Sequence, residues 1–356
     1  MADKKYLELY RREKRKIISG EYKANERLPS KRVAADKAGC STVTVEAAYR
    51  RLADEGFITA RERSGYYVNA ASDFYAPSES AAVSPLVLLE DESSGEKTDF
   101  EYSVWFKTIR KVIADNGERL FEKSPNKGCA VLRNAISEYL LRYRSMLAQP
   151  ESIIIGSGSE QLYESVVKIL GMDKVFGIED PSYRQIEAVY TAAGVKTVKL
   201  KMGADGIESS CLEKADMDVL HVTPFHSYPS GATASFSKRC EYLGWAKKSS
   251  GYIVEDDFES EFFMPGNPIE SLYSLDKNQR VIYMNTFSRS LSPSMRMGYM
   301  ILSEELMKIY DERLGHNSCT VPVLDQYVLA EFITSGSFER HLNRTRRKMK
   351  RMEKDL

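Results

Sequence analysis

The chain has 356 residues, and its 51 Lys and Arg balance its 51 Asp and Glu, a length that allows a small domain beside a large one with a substantial core. Its five cysteines are scattered, odd in number and without a C-x-x-C pair, and its four histidines lack ligand spacing, which argues against a disulfide framework and a metal site. There is no apolar run of about 18 residues and no signal-peptide core near Met1, so a soluble, cytoplasmic protein with no membrane contact is expected.

Charge is uneven along the chain. Residues 1–70 carry 16 Lys and Arg against 10 Asp and Glu, a sign suited to a phosphate backbone. Ser30 reads as an N-cap, and Val33, Ala34 and Ala38 then give one apolar face that Gly39 ends. Ser41 caps a second helix in which Val45, Ala48, Tyr49 and Leu52 recur at helical spacing. Thr42, Thr44, Glu46, Ala47 and Arg50 fall outside that buried stripe. Residues 57–60 and 66–68 flank Arg61-Glu62-Arg63-Ser64-Gly65, a basic hairpin. Two short helices about a glycine turn, followed by a basic hairpin, predict a winged helix-turn-helix over 1–70. Residues 71–98 are small, polar and acidic, the composition of a linker. Within them the apolar patch 85–89 could dock on the large domain as a strand.

From residue 99 to 356 an α/β domain is expected. Short β-rich runs at 153–155, 174–178, 196–200, 219–222, 252–254 and 281–284 alternate with helical patterns such as 160–170 and 184–193. That order predicts a mostly parallel sheet with helices on both faces and ligands at the C-terminal strand ends. Four polar clusters follow strands in order. Gly156-Ser157-Gly158-Ser159-Glu160 opens a helix, where backbone N–H groups can hold a phosphate. Glu179 to Tyr183, Thr223 to Gly231 and Glu255 to Glu261 follow. Thr286-Phe287-Ser288-Arg289, leading to Arg296 and Gly298, closes the set.

The first segment resembles the winged helix-turn-helix of GntR bacterial regulators over residues 6–68, on Leu28-Pro29-Ser30, Arg32, Ser41, Thr44-Val45, Ala48-Tyr49, Leu52, Glu55-Gly56 and Ser64 to Val68. The resemblance implies a double-stranded DNA operator met by Ser30, Lys31, Arg32, Ser41, Thr42, Thr44, Arg50 and Gly65, with Gly65 letting the wing reach the minor groove. Thr42 departs from the arginine usual there, which removes a bidentate base reader.

The ordered clusters resemble fold-type I aminotransferases, which use pyridoxal 5'-phosphate. Together with the winged domain, the chain resembles the MocR subgroup. The resemblance implies a phosphate cup at Gly158, Ser159 and Glu160 helped by Thr286 and Arg296, a ring-stacking aromatic at Tyr183, and a pyridine-nitrogen partner at Asp256, with Asp257 as the alternative by one register step. It also implies a homodimer. Arg289 stands where the Schiff-base lysine belongs, Phe258 where a tyrosine does, Ser227 where a longer amide does, and Glu122 where a tyrosine reaches the neighbouring subunit. One engineered replacement would not change all of these. The chain also stops where the family's small C-terminal domain begins. A guanidinium stays protonated and forms no imine, so no catalytic residue is assigned, and the coenzyme is expected to bind without a covalent bond or to have been lost. The expected protein is a transcription regulator sensing an anionic or amino-acid effector; a working aminotransferase with a DNA-binding arm, or a remnant that only dimerises, are the rivals.

Overall fold

The computed structural model describes residues 2–61, 64–69, 100, 102–262 and 270–352. The chain divides into two compact units, Met1–Ser94 and Gly95–Leu356. The expected linker 71–98, Glu62 and Arg63 of the hairpin, and residues 353–356 lie outside the described residues.

Among the described residues the first unit holds three helices and a hairpin. They are α1 Ala2–Ile18, α2 Lys31–Ala38, α3 Thr42–Asp54, β1 Ile58–Arg61 and β2 Gly65–Val68. The capping residues read from the sequence set the boundaries. Ser30 accepts from the Val33 N–H, Ser41 accepts from the Thr44 N–H, and Gly39 takes the left-handed conformation that stops α2. Val45, Ala48, Tyr49 and Leu52 are fully buried against Leu9, Ile17 and Leu28. Val33 corrects the expectation for α2, being 45% exposed. The helix has only eight residues, and Ala34 and Ala35 supply its packed face.

The second unit is built from α4 Tyr102–Asn116, α5 Ala130–Arg144, β3 Ile153–Gly156, α6 Ser159–Leu170, β4 Val175–Asp180, α7 Arg184–Ala192, β5 Lys196–Gly203, β6 Gly206–Ile207, α8 Ser209–Lys214, β7 Val219–Val222, α9 Phe236–Ser249, β8 Tyr252–Asp256, α10 Leu272–Leu275, β9 Val281–Thr286, α11 Phe287–Ser290, β10 Gly298–Ile301, α12 Glu304–Leu314, α13 Val323–Thr334 and α14 Ser337–Met352. The sheet order is β3-β10-β9-β8-β7-β4-β5-β6. The run β9-β8-β7-β4-β5 is parallel, whereas β10 runs against both β3 and β9, and β6 against β5. Strands β6 and β10 were not among the expected runs.

Strand alternation sorts side chains to the two faces. Ile154, Val254, Ile282, Met284 and Met300 pack with α6, α7 and α12. Ile153, Ile155, Tyr283, Tyr299 and Ile301 pack with α4, α5, α13 and α14. Ile253, Leu220 and Leu200 join a third cluster with α8 and α9. The C-terminal ends of β4, β7, β8 and β9 therefore open together, where a doubly wound sheet holds its ligand. Among the described residues no helix is long and apolar enough to cross a membrane.

Candidate functional site

In the first unit the expected DNA-facing residues divide into two sets. Ser30 and Ser41 are engaged in capping, at 3.4 and 3.2 Å from the amide nitrogens they serve. Thr44 Oγ1 lies 2.9 Å from Ser41 Oγ and belongs to that cap. Arg32, Thr42 and Arg50 are exposed. Lys31 and Arg50 both approach Glu46, at 3.2 and 3.7 Å. Gly65 has φ +117°, and a Cβ there would stand 3.1 Å from Arg27 Nε, so glycine fits the hairpin and brings Arg27 to its base. The Arg61 guanidinium lies over the Tyr67 ring, 4.3 Å from its centroid, which holds a cation on the hairpin. Arg27 was not expected here, since it precedes the motif. Val43, 74% exposed, was not expected either; the spacing that buries Val45 and Tyr49 turns residue 43 outward, so the signal was present.

In the second unit a cavity of about 460 Å³ opens at the C-terminal strand ends. It is lined by Ser159, Tyr183, Asp256, Phe258, Thr286, Arg289 and Arg296, seven of the residues named from the sequence, together with Tyr163, Tyr228, Glu259 and Ser288. Gly158 and Glu160 are not among the residues lining it, but both lie against Arg296, which is. Gly158 is the N-cap of α6 at φ +104°, contributes no capping side chain, and a Cβ there would meet Arg296 Nη2 at 3.1 Å. The free N–H groups of the first turn are thus left at the positive end of the helix dipole, beside a guanidinium. Arg296 pairs with Glu160 at 2.7 Å.

Residue parity separates the two neighbouring aspartates. Asp256 faces the cavity, bonded to the Tyr163 hydroxyl and with His221 Nε2 at 3.7 Å. Asp257 faces the opposite side, 2.5 Å from Arg144 Nη2 and 2.7 Å from the Tyr283 hydroxyl. Of the two, Asp256 is the one that lines the cavity.

Arg289, at the end of the short helix that β9 feeds, borders the cavity with its side chain half exposed. Its Nε donates to Glu259 Oε1 at 2.9 Å, and the other oxygen of the nearly buried Glu259 lies 2.8 Å from His226 Nδ1. Among the described residues lining the cavity the cations are Arg289 and Arg296; none is a lysine. Ser227 turns away and donates to Glu179 at 2.6 Å. Glu122 is exposed and is not among the residues lining the cavity.

Several carboxyls near the strand ends are buried without lining the cavity. Burial pushes Glu179 up to about 8, offset in part by bonds from Ser227 and the Thr223 N–H. Burial likewise raises Glu255 to about 8, although it accepts from the N–H groups of Leu272 and Tyr273 at 2.8 and 2.9 Å. Glu261, bonded to Asn285, is raised to about 7 by burial and by Asp257.

The cradle fits a phosphorylated aromatic ring. Gly158 leaves room that a Cβ would fill, Ser159 and Arg296 offer donors and charge, Tyr183 and Phe258 offer ring faces, and Asp256 offers a carboxylate.

Residues 5–68 match the bacterial regulatory proteins of the gntR family. Over 352 residues the chain is 33% identical to the uncharacterized HTH-type transcriptional regulator YdeL of Bacillus subtilis (strain 168), an alignment covering 96% of this chain and 76% of that protein. It is 28% identical over 366 residues to the probable rhizopine catabolism regulatory protein MocR of Rhizobium meliloti, covering 96% and 74%. Among solved structures, the α-aminoadipate aminotransferase LysN of Thermus thermophilus, complexed with N-(5'-phosphopyridoxyl)-L-leucine, superimposes with a TM-score of 0.62 at 26% identity, over 70% of this chain and 64% of that one. The chain thus spans about three quarters of the length of these regulators and less than two thirds of that enzyme.

Proposed function

The chain belongs to the MocR type of gntR-family regulators, a helix-turn-helix domain joined to an aminotransferase fold, and from that premise we propose that it regulates transcription by binding an operator while its second unit senses a small ligand without transaminating. The observation that carries this reading is Arg289 at the cavity, held by Glu259, with no lysine among the described lining residues.

Pyridoxal phosphate, when bound, supplies an electron sink for carbanion chemistry at an amine-bearing carbon. Using it for transamination requires a side chain that can both attack an aldehyde and carry a proton. A guanidinium such as that of Arg289 does neither. What these residues can do is bind: the α6 N-terminus, Ser159 and Arg296 take a phosphate, Asp256 takes a ring N–H, and Tyr183 covers a ring face. We assign the cavity to a phosphorylated or carboxylated effector held without a covalent bond, with pyridoxal phosphate as the leading candidate. Such a ligand acts by binding one arrangement of the protein better than another.

A homodimer completes the proposal. Tyr102, Phe106 and Ile113 lie along α4 with exposures of 50–57%, and Phe121 beyond it is 92% exposed. An apolar stripe of this kind on a soluble unit suits burial against a second copy, and paired helix-turn-helix units suit two half-sites.

The test is titration of the full chain with pyridoxal phosphate, followed by borohydride and peptide mapping, alongside binding to a labelled duplex library. The expected result is saturable, reversible ligand binding with no pyridoxyl mass fixed at a cavity residue, and salt-sensitive selection of DNA. A fixed label on a lysine inside the cavity would return the chain to the enzymes.

A further inference from the structure

Val43 is the second residue of α3 and is 74% exposed, against 45% for Val33 on α2. A lone exposed valine is ordinary; its place gives it meaning. The first turn of a recognition helix is the part that reaches base edges in the major groove. Here that turn reads Thr42-Val43-Thr44, with no amide or guanidinium to grip a purine by two hydrogen bonds. The Thr44 hydroxyl is engaged with Ser41 at 2.9 Å. Exposed Ala47 lies one turn beyond Val43 and exposed Arg50 seven residues beyond, on the same side of the helix. Arg50 and Lys31, drawn to Glu46, set positive charge beside this strip of methyl groups. In the major groove the group complementary to a methyl surface is the 5-methyl of thymine.

We propose that Val43 is a specificity-determining residue that packs against a thymine 5-methyl, so that each operator half-site carries a thymine at the step faced by the first turn of α3. This rests on the DNA-binding reading above. The experiment selects a duplex from a random library with the full chain, then replaces each thymine in turn by deoxyuridine, which removes the methyl and leaves every hydrogen-bonding group. One thymine per half-site should then weaken binding roughly fourfold, the worth of one buried methyl. Val43→Ala should bind with an unchanged salt slope but no longer distinguish thymine from deoxyuridine, and Val43→Thr, which keeps one methyl, should retain part of the difference. Melting temperatures taken alongside show that the variants fold. Equal affinity for thymine and deoxyuridine at every position, or a Val43→Ala protein with the parent's ratio, overturns the proposal. A chain that selects no duplex overturns the DNA-binding reading itself and takes this one with it.

Discussion

Arg289 and Glu259 form a pair that only the folded chain brings together. Arg289 was legible as a cavity residue, because the residues around it are ordered like a known motif. Its partner was not: Glu259 lies 30 positions earlier and His226 33 earlier still, and nothing local ties them. The Asp256 and Asp257 ambiguity had a similar origin, since two adjacent carboxylates look alike until packed strands fix which face each meets. Arg289→Lys should acquire a borohydride-fixed pyridoxyl label at position 289 that the parent lacks; a protein that stays unlabelled means the pocket no longer fits the coenzyme. Glu259→Gln should strengthen binding of inorganic phosphate or a carboxylate by about threefold to tenfold in calorimetry, because the guanidinium loses its internal counter-charge. Glu179 carries a pH prediction. Its folded value of about 8 lies above its ordinary 4.5, so the folded state holds a proton that the unfolded chain has released. Its contribution is complete below pH 4.5 and disappears as pH rises through 8. Thermal stability should therefore fall by several degrees between about pH 6 and 9. Glu179→Gln, whose amide can serve both Thr223 and Ser227, should flatten part of that fall; an unchanged slope assigns the loss to other groups.

At the level of elements, the first unit was readable because its signals are local. Caps at Ser30 and Ser41, the left-handed Gly39 and a four-residue buried stripe fix α2 and α3 within a few residues of sequence. The misplacement of Val33 shows the limit, since an eight-residue helix can bury either of two adjacent faces and the packing partner decides. In the second unit the parallel strands were legible as β-rich runs. The antiparallel β10 was not, because Gly298–Ile301 is recognised as a strand only through its insertion between β3 and β9. The α2–α3 pair yields a further expectation. Arg32 is exposed, whereas Lys31 and Arg50 share Glu46. Arg32→Ala should weaken binding to all sequences alike and lower the salt slope by about one. An unchanged slope removes Arg32 from the phosphate contacts.

For the whole molecule, the proposed regulation uses two copies reading two half-sites. Replacing Phe106 and Ile113 together by aspartate should convert a dimer to a monomer in sedimentation, because burying two carboxylates in an apolar contact is costly. Affinity for a single half-site should stay near the parent's, while affinity for the full operator should fall roughly a hundredfold as the linked second contact is lost. A variant that remains dimeric places the contact elsewhere.

Glu259 carries a last implication. Because one carboxylate pairs with both Arg289 and His226, an incoming anion would compete with Glu259 for the guanidinium's charge and its Nε–H. Competition of this kind would trade tightness for reversibility and would give Glu259 and its two partners a different arrangement when an anion is bound. Occupancy of the chamber would then register as a rearrangement at its rim, which is what a gauge of a fluctuating metabolite requires and a catalyst does not.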